Sequence, residues 1–214
     1  MTTFKPPTEW TPPDVFPTEL LVNAKEVAID TETRDPNLKE KGPGYIRGDG
    51  EIVGISFACD GFEGYFPFAH ESGFNFPKNK VISFAKKVCA SNSDKIFHNA
   101  SYDMGWLGSE GIKVNGRIID TMVVAPLIDE NQYWYTLNAL GREYVNEGKT
   151  EAELNAAAEE WGLDPKAEMW RLPSAYVGTY ATQDAALTLK LWNHFKTLIE
   201  EQNLWNIFDL EMEV

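Results

Sequence analysis

Up to about residue 120, short apolar runs alternate with turn residues, whereas the remainder of the chain spaces its apolar positions as helices do. Residues 26–30 form an apolar run that ends in acid, the pattern of a buried strand. A long loop over 34–50, with glycine and proline turns at 42–44 and 48–50, leads to predicted strands over 52–59 and 62–68. A helix over 80–90 and a short strand over 95–97 come next. Asn99 or Ser101 is placed to cap a helix running to about 110, and 112–120 reads as another short strand before the next helix.

Beyond Asp120 the pattern is helical. Leu137, Leu140 and Tyr144 share a face, and 151–160 reads as an alanine-rich solvated surface helix. Pro173 can open a long helix over 174–201, because a proline in the first turn forfeits no helical hydrogen bond. Strands first, then strands mixed with helices, then helices alone predict an α/β domain with a mixed sheet covered on both faces. The proline-rich residues 1–24 are expected to be an extended arm, 25–202 the folded domain, and 203–214 a helical connection, with Trp205, Phe208 and Met212 at helical spacing.

Composition narrows the class. A chain of 214 residues with 43% hydrophobic content can bury a full core. Its two cysteines, Cys59 and Cys89, have neither metal-ligand spacing nor a local partner, which suits a reducing cytoplasm. No run is apolar and long enough to span a bilayer, so no membrane partner is expected. The net charge of −14 argues against a general duplex binder, whose affinity comes from cations that displace counterions. The acidity is uneven. Residues 1–119 carry 13 Lys and Arg against 16 Asp and Glu, whereas 120–214 carry 6 against 17.

Three acidic segments carry the candidate chemistry. Asp30 and Glu32 stand two apart on a strand end, so both carboxylates project to one side, where a metal could sit between them. Asn99 and Asp103 share a helix face four residues apart, although an N-cap and a first-turn acid would explain the pair structurally. Tyr180 and Asp184 are also four apart on the long helix, flanked by Ala181, Ala185 and Ala186, which permit close approach to the sheet. His98 ends an apolar strand and reads as a satisfied core residue, and capping accounts for Asp120. Tyr133, Trp134 and Tyr135 have the chemistry to stack on bases, but packing under the adjacent helix is the favoured reading. Arg34, Lys39, Lys41 and Arg47 make the first long loop mildly basic.

In this order the segments resemble the three exonuclease motifs of the DEDD superfamily, specifically the proofreading domain of family A, polymerase I-like DNA polymerases of phage type. The motifs fall at Asp30-Thr31-Glu32-Thr33, at Asn99 through Asp103, and at Tyr180 through Asp184. A tyrosine four positions before the last aspartate indicates the tyrosine (DEDDy) branch. The resemblance implies a ribonuclease H-like fold. It also implies that Asp30, Glu32, Asp103 and Asp184 bind two Mg²⁺ or Mn²⁺ ions while Tyr180 orients the attacking water. Thr33, Asn99 and Tyr102 would touch the terminal nucleotides of a single-stranded DNA 3' end. A covalently linked polymerase domain and a bacterial or phage-infected cytoplasm are the implied setting. Without metal the clustered carboxylates should repel and their pKa values rise, and no Lys or Arg near the motifs is required. An RNA 3'-processing exonuclease of the same branch and a catalytically silent nucleic-acid-binding domain are the alternatives.

Overall fold

The computed structural model describes residues 8–212, so the outermost ends of the expected arm and connection lie outside the described residues. The element order is α1 (Thr18–Asn23), β1 (Glu26–Arg34), α2 (Leu38–Lys41), β2 (Glu51–Cys59), β3 (Phe62–Pro67), α3 (Lys78–Cys89), β4 (Asp94–Phe97), α4 (Ala100–Ser109), β5 (Ile118–Asp120), α5 (Thr121–Ile128), α6 (Leu137–Val145), α7 (Ala152–Trp161), α8 (Ser174–Glu201) and α9 (Trp205–Met212). The five strands form one sheet in the order β3-β2-β1-β4-β5. β1 pairs antiparallel with β2 and parallel with β4, which makes the sheet mixed.

Strand alternation divides β1 between two cores. Val27 and Ile29 face one side, packing with Leu21 of α1, Val81, Phe84 and Val88 of α3, and Trp106 and Leu107 of α4. Ala28 faces the other, where it meets Ala58 of β2 and Ala185 and Ala186 of α8. Small residues on both partners let α8 lie close against the sheet. Two turns further on, Trp192 Nε1 and Lys196 Nζ both bond the Glu26 carboxylate at the start of β1 (2.9 and 2.8 Å), which fixes the register of α8 along that strand.

Several elements differ from the sequence-based expectation. The last strand covers only Ile118–Asp120, because the segment before it turns against α3: Ile112 is buried in the α3–α4 core and Asn115 N bonds Cys89 O. α7 is not fully solvated, since Leu154, Ala157 and Ala158 pack on Tyr176, Val177 and Tyr180 of α8. Residues 8–17 run without regular structure but lie on the domain. Thr8 Oγ1 donates to Ala175 O (2.8 Å), and the Trp10 ring sits over Gly178. Phe208 of α9 is fully buried and stacks on Trp192, with ring centroids 5.4 Å apart.

The contact between Trp10 and α8 yields a test. A Cβ at Gly178 would stand 2.0 Å from the Trp10 ring, so Gly178→Ala should lower Tm in the wild-type background. With Trp10→Ala the ring is gone, and the same change should be neutral or stabilising, since alanine gains about 1 kcal/mol over glycine inside a helix. Thermal melts of the two single variants and the double variant measure the coupling, and additive effects would contradict the packing described.

Candidate active site

The alternation that sends Ala28 toward α8 sends Asp30 and Glu32 the same way. On α8, Asp184 lies one residue before the Ala185 contact that brings helix and sheet together. Carboxylate oxygens of Asp30, Glu32 and Asp184 consequently lie within 4.8 Å of one another. Tyr180, one helical turn before Asp184, is buried beside it. Beneath the acids lies Tyr65 of β3, whose hydroxyl is 2.7 Å from His70 Nε2. Gly54, opposite Glu32 on β2, gives it room, since a Cβ there would be 2.1 Å from the Tyr65 hydroxyl.

Asp103 arrives from a different direction. β4 pairs with β1 only over Glu26–Ala28, which leaves the next edge of β1 open beyond that point. The start of α4 fills the opening, and Asp103 Oδ1 accepts from both Thr31 N (2.9 Å) and Thr31 Oγ1 (2.6 Å). The carboxyl is buried, not a solvated first-turn acid, and it stands beside the tight trio without joining it. Asn99 occupies the N-cap position of α4 at φ 72°, yet its side chain does not cap. Asp120 does that work, accepting from Asn99 N, Ala100 N and, as the cap of α5, Met122 N.

Of the residues that the resemblance assigns to strand contacts, Asn99 is exposed, whereas Thr33 Oγ1 and the Tyr102 hydroxyl bond each other at 2.8 Å. Tyr102 also reaches Asp35, which ties α4 to the loop after β1. Arg34, at the end of β1, pairs across the strands with Glu51 of β2, and in the loop Arg47 binds Asp49 and the carbonyls of Lys41, Gly42 and Pro43, while Lys39 and Lys41 stay exposed. His98 is half-buried. Its Nδ1 donates to Thr121 Oγ1, because that hydroxyl already donates to Phe97 O, and Nε2 is left buried without a partner. Burial holds this ring near a pKa of about 4, so it stays neutral. Tyr135 packs on the helical core, but Tyr133 and Trp134 are 94% and 70% exposed, which corrects the expectation that the whole triplet packs.

Sequence reading missed Lys149, in the loop between α6 and α7. Its Nζ lies 2.5 Å from Asp184 Oδ2 and 3.2 Å from the Tyr180 hydroxyl. No local motif marks it, because a lysine in a polar loop ordinarily points to solvent.

Burial is the largest influence on each of the four acids, and the neighbours then add to it or offset it. Burial, then Glu32, Asp103 and Asp184, holds the Asp30 carboxyl well above the usual carboxylate range. Burial and Asp184 push Glu32 up to about 8 against the pull of Lys149. Burial takes Asp103 up to about 7 against the hydrogen bonds from Thr31. Asp184 is raised by burial despite its contact with Lys149, and Asp184 Oδ1 is buried with no hydrogen-bond partner. Oxygen donors only, with one of them orphaned, fit a hard divalent cation such as Mg²⁺ or Mn²⁺. Asp30, Glu32 and Asp184 are the residues placed to hold it.

These shifts set a pH dependence. A carboxyl whose folded pKa is raised favours the folded state below its ordinary pKa, and that contribution fades as pH rises through the folded value. In EDTA the site should therefore lose stability between about pH 4.5 and pH 8, the interval spanned by Glu32. The charges acting on Glu32 are those of Asp184 and Asp103, which raise it, and of Lys149 and Lys166, which lower it. A divalent cation held by these acids would bind their ionised forms, so the rise in Tm on adding Mg²⁺ should grow across the same range. Melts at pH 5 and pH 8.5 with Mg²⁺ or EDTA test this, and an Mg²⁺ effect independent of pH would contradict it.

Residues 18–200 match the 3'-5' exonuclease family. The chain is 38% identical over 211 residues to a DNA-directed DNA polymerase of Pseudomonas phage M6, covering 96% of this chain and 32% of that protein. It is 27% identical to DNA polymerase I of Borreliella burgdorferi, covering 87% and 19%. The chain thus spans about a third or less of the length of these relatives. Among solved structures, Brucella melitensis NrnC with bound Mg²⁺ superposes with a TM-score of 0.63 at 17% identity, covering 92% of this chain and 84% of that one. The catalytic core of Trypanosoma brucei RRP6 (mutant C496S) gives 0.63 at 20%, covering 91% and 47%. The fold is of the ribonuclease H-like exonuclease type, and no helix among the described residues is long and apolar enough to cross a membrane. The chain belongs to the 3'-5' exonuclease family in its tyrosine-bearing DEDD branch, related to the exonuclease domains of phage and other family A DNA polymerases.

Proposed function

We propose that this chain is the proofreading unit of a family A DNA polymerase, removing nucleotides one at a time from a single-stranded DNA 3' end with two divalent ions. The convergence of Asp30, Glu32 and Asp184 from β1 and α8, with Tyr180 one turn away, carries the reading. Resemblance to phage DNA polymerases supports DNA as the substrate and a polymerase as the covalent partner. Two free, buried cysteines suit a reducing cytoplasm.

The reaction is hydrolysis of the terminal phosphodiester. Water forms a new P–O bond, the P–O3' bond breaks, the departing 3' oxygen gains a proton, and a nucleoside 5'-monophosphate leaves. Asp30, Glu32 and Asp184, joined by Asp103 at the edge of β1, are the residues that would hold the ions. Bound there, divalent cations would supply positive charge to activate the water and stabilise the leaving oxygen. The Tyr180 hydroxyl, fixed by its helix and close to Asp184, orients the attacking water by a hydrogen bond. Thr31 holds Asp103 by two hydrogen bonds, which limits its rotation. Asn99, exposed at the start of α4, and the linked hydroxyls of Thr33 and Tyr102 line the approach of the terminal nucleotides.

Asp184→Ala should reduce nucleotide release by on the order of 10³-fold or more while leaving the circular dichroism spectrum unchanged. Tyr180→Phe should slow it by roughly 10- to 100-fold, the cost of one hydrogen bond to a charged or developing group. End-labelled single-stranded DNA and RNA of matched sequence, digested with Mg²⁺ or Mn²⁺ and with EDTA, provide the readout. Undiminished digestion by Asp184→Ala would remove the mechanism, and faster digestion of RNA would reassign the substrate.

A further inference from the structure

Among the described residues, Lys149 is the one cation in ion-pair contact with the acid cluster. It is deliberately held. Its backbone N–H donates to Asn138 Oδ1 (3.0 Å), and the Gln183 side chain clips the loop on either side, donating to Gly148 O (2.9 Å) and accepting from Thr150 N. Gln183 immediately precedes Asp184, so the clip sets the lysine against that carboxylate. The ammonium bonds Asp184 Oδ2, touches the Tyr180 hydroxyl and lies 4.8 Å from the Tyr180 ring centroid. Its side chain is 14% exposed.

A lysine in this place does what a divalent ion would do, neutralising buried carboxylates that otherwise repel. Both cannot keep the same station. Like charges a few ångströms apart in a partly desolvated site repel strongly, and Asp184 offers one oxygen already bonded to Nζ and one that has no partner. The four-carbon stem of lysine lets its ammonium move while the clipped backbone stays where it is. Phosphate oxygens of a strand whose terminal linkage lies over the acids would be the nearest new partner for the displaced charge.

On the reading of the site given above, we propose that Lys149 is a resident counter-cation that a divalent ion displaces from Asp184, and that the phosphate of the bound strand then receives it. Metal uptake and strand binding consequently reinforce each other, and by linkage the reinforcement is mutual.

Mn²⁺ titrations of the full chain, read by electron paramagnetic resonance of the free ion, test this with and without thymidine 5'-monophosphate as the phosphate probe. Lys149→Met should bind Mn²⁺ on the order of 10-fold more tightly than wild type, within the usual range for coupled sites. Lys149→Arg, which keeps the charge, should remain near wild type. The nucleotide should tighten Mn²⁺ binding by a larger factor in wild type than in Lys149→Met, where only direct contact between phosphate and ion remains. Should Lys149→Met fail to fold, acetic anhydride labelling of wild type gives the same answer: Lys149 should be protected in EDTA, labelled with Mn²⁺, and protected again when the nucleotide is added. Mn²⁺ binding in Lys149→Met equal to or weaker than wild type, or labelling that ignores Mn²⁺, would overturn the proposal. If wild type binds Mn²⁺ and Asp184→Ala does not, such a failure is confined to the role of Lys149; if wild type binds none, the metal site itself falls.

Discussion

Three carboxylates with oxygens inside 4.8 Å are a standing electrostatic cost, and the surrounding structure is arranged to sustain it. Burial raises every one of these acids, and neighbouring carboxylates add to it at Asp30 and Glu32, while Lys149 offsets it at Asp184. A group of this kind does not persist unless the scaffold over-determines its geometry. Here the scaffold is the contact of α8 with β1. Alanines on both elements allow the approach, and Glu26, held by Trp192 and Lys196, fixes the helix lengthwise. Sliding α8 by one turn would move Asp184 about 5.4 Å and dissolve the cluster.

The second constraint is the shortness of β4. Because its pairing with β1 stops at Ala28, the amide of Thr31 has no strand partner on that side, and Asp103 satisfies it. One device therefore closes a sheet edge and delivers an acid to the site. Asp120 plays a comparable double part, capping α5 while holding the first amides of α4, and so sets the helix from which Asp103 projects. Placement of the buried Asp103 carboxyl and ordinary backbone satisfaction are achieved by the same hydrogen bonds.

Much of this was legible in the sequence where a local rule governs the outcome. The spacing of Asp30 and Glu32 on a strand end, the Tyr180–Asp184 pair on a helix opened by Pro173, and the capping role of Asp120 each follow from the periodicity of one element. Other features depend on contacts between distant segments. Lys149 lies 35 residues from its partner Asp184, and no motif links them. Asp103 carries its acid in an ordinary first-turn position, and only the unpaired Thr31 amide shows why it is buried. Tyr133 and Trp134 look like core residues by composition, yet Tyr135 alone finds a core to enter. The strand expected over 112–120 shrank to three residues because Ile112 packs elsewhere.

The central claim is that these carboxylates form a cage for divalent ions. A crystal of the chain grown in Mn²⁺, with data collected on either side of the manganese absorption edge, tests it most directly. Two anomalous peaks about 4 Å apart, one bounded by Asp30, Glu32 and Asp184 and the other extending toward Asp103, are expected. An anomalous map without a peak among these carboxylates, at Mn²⁺ concentrations that support nucleotide release, would contradict the account.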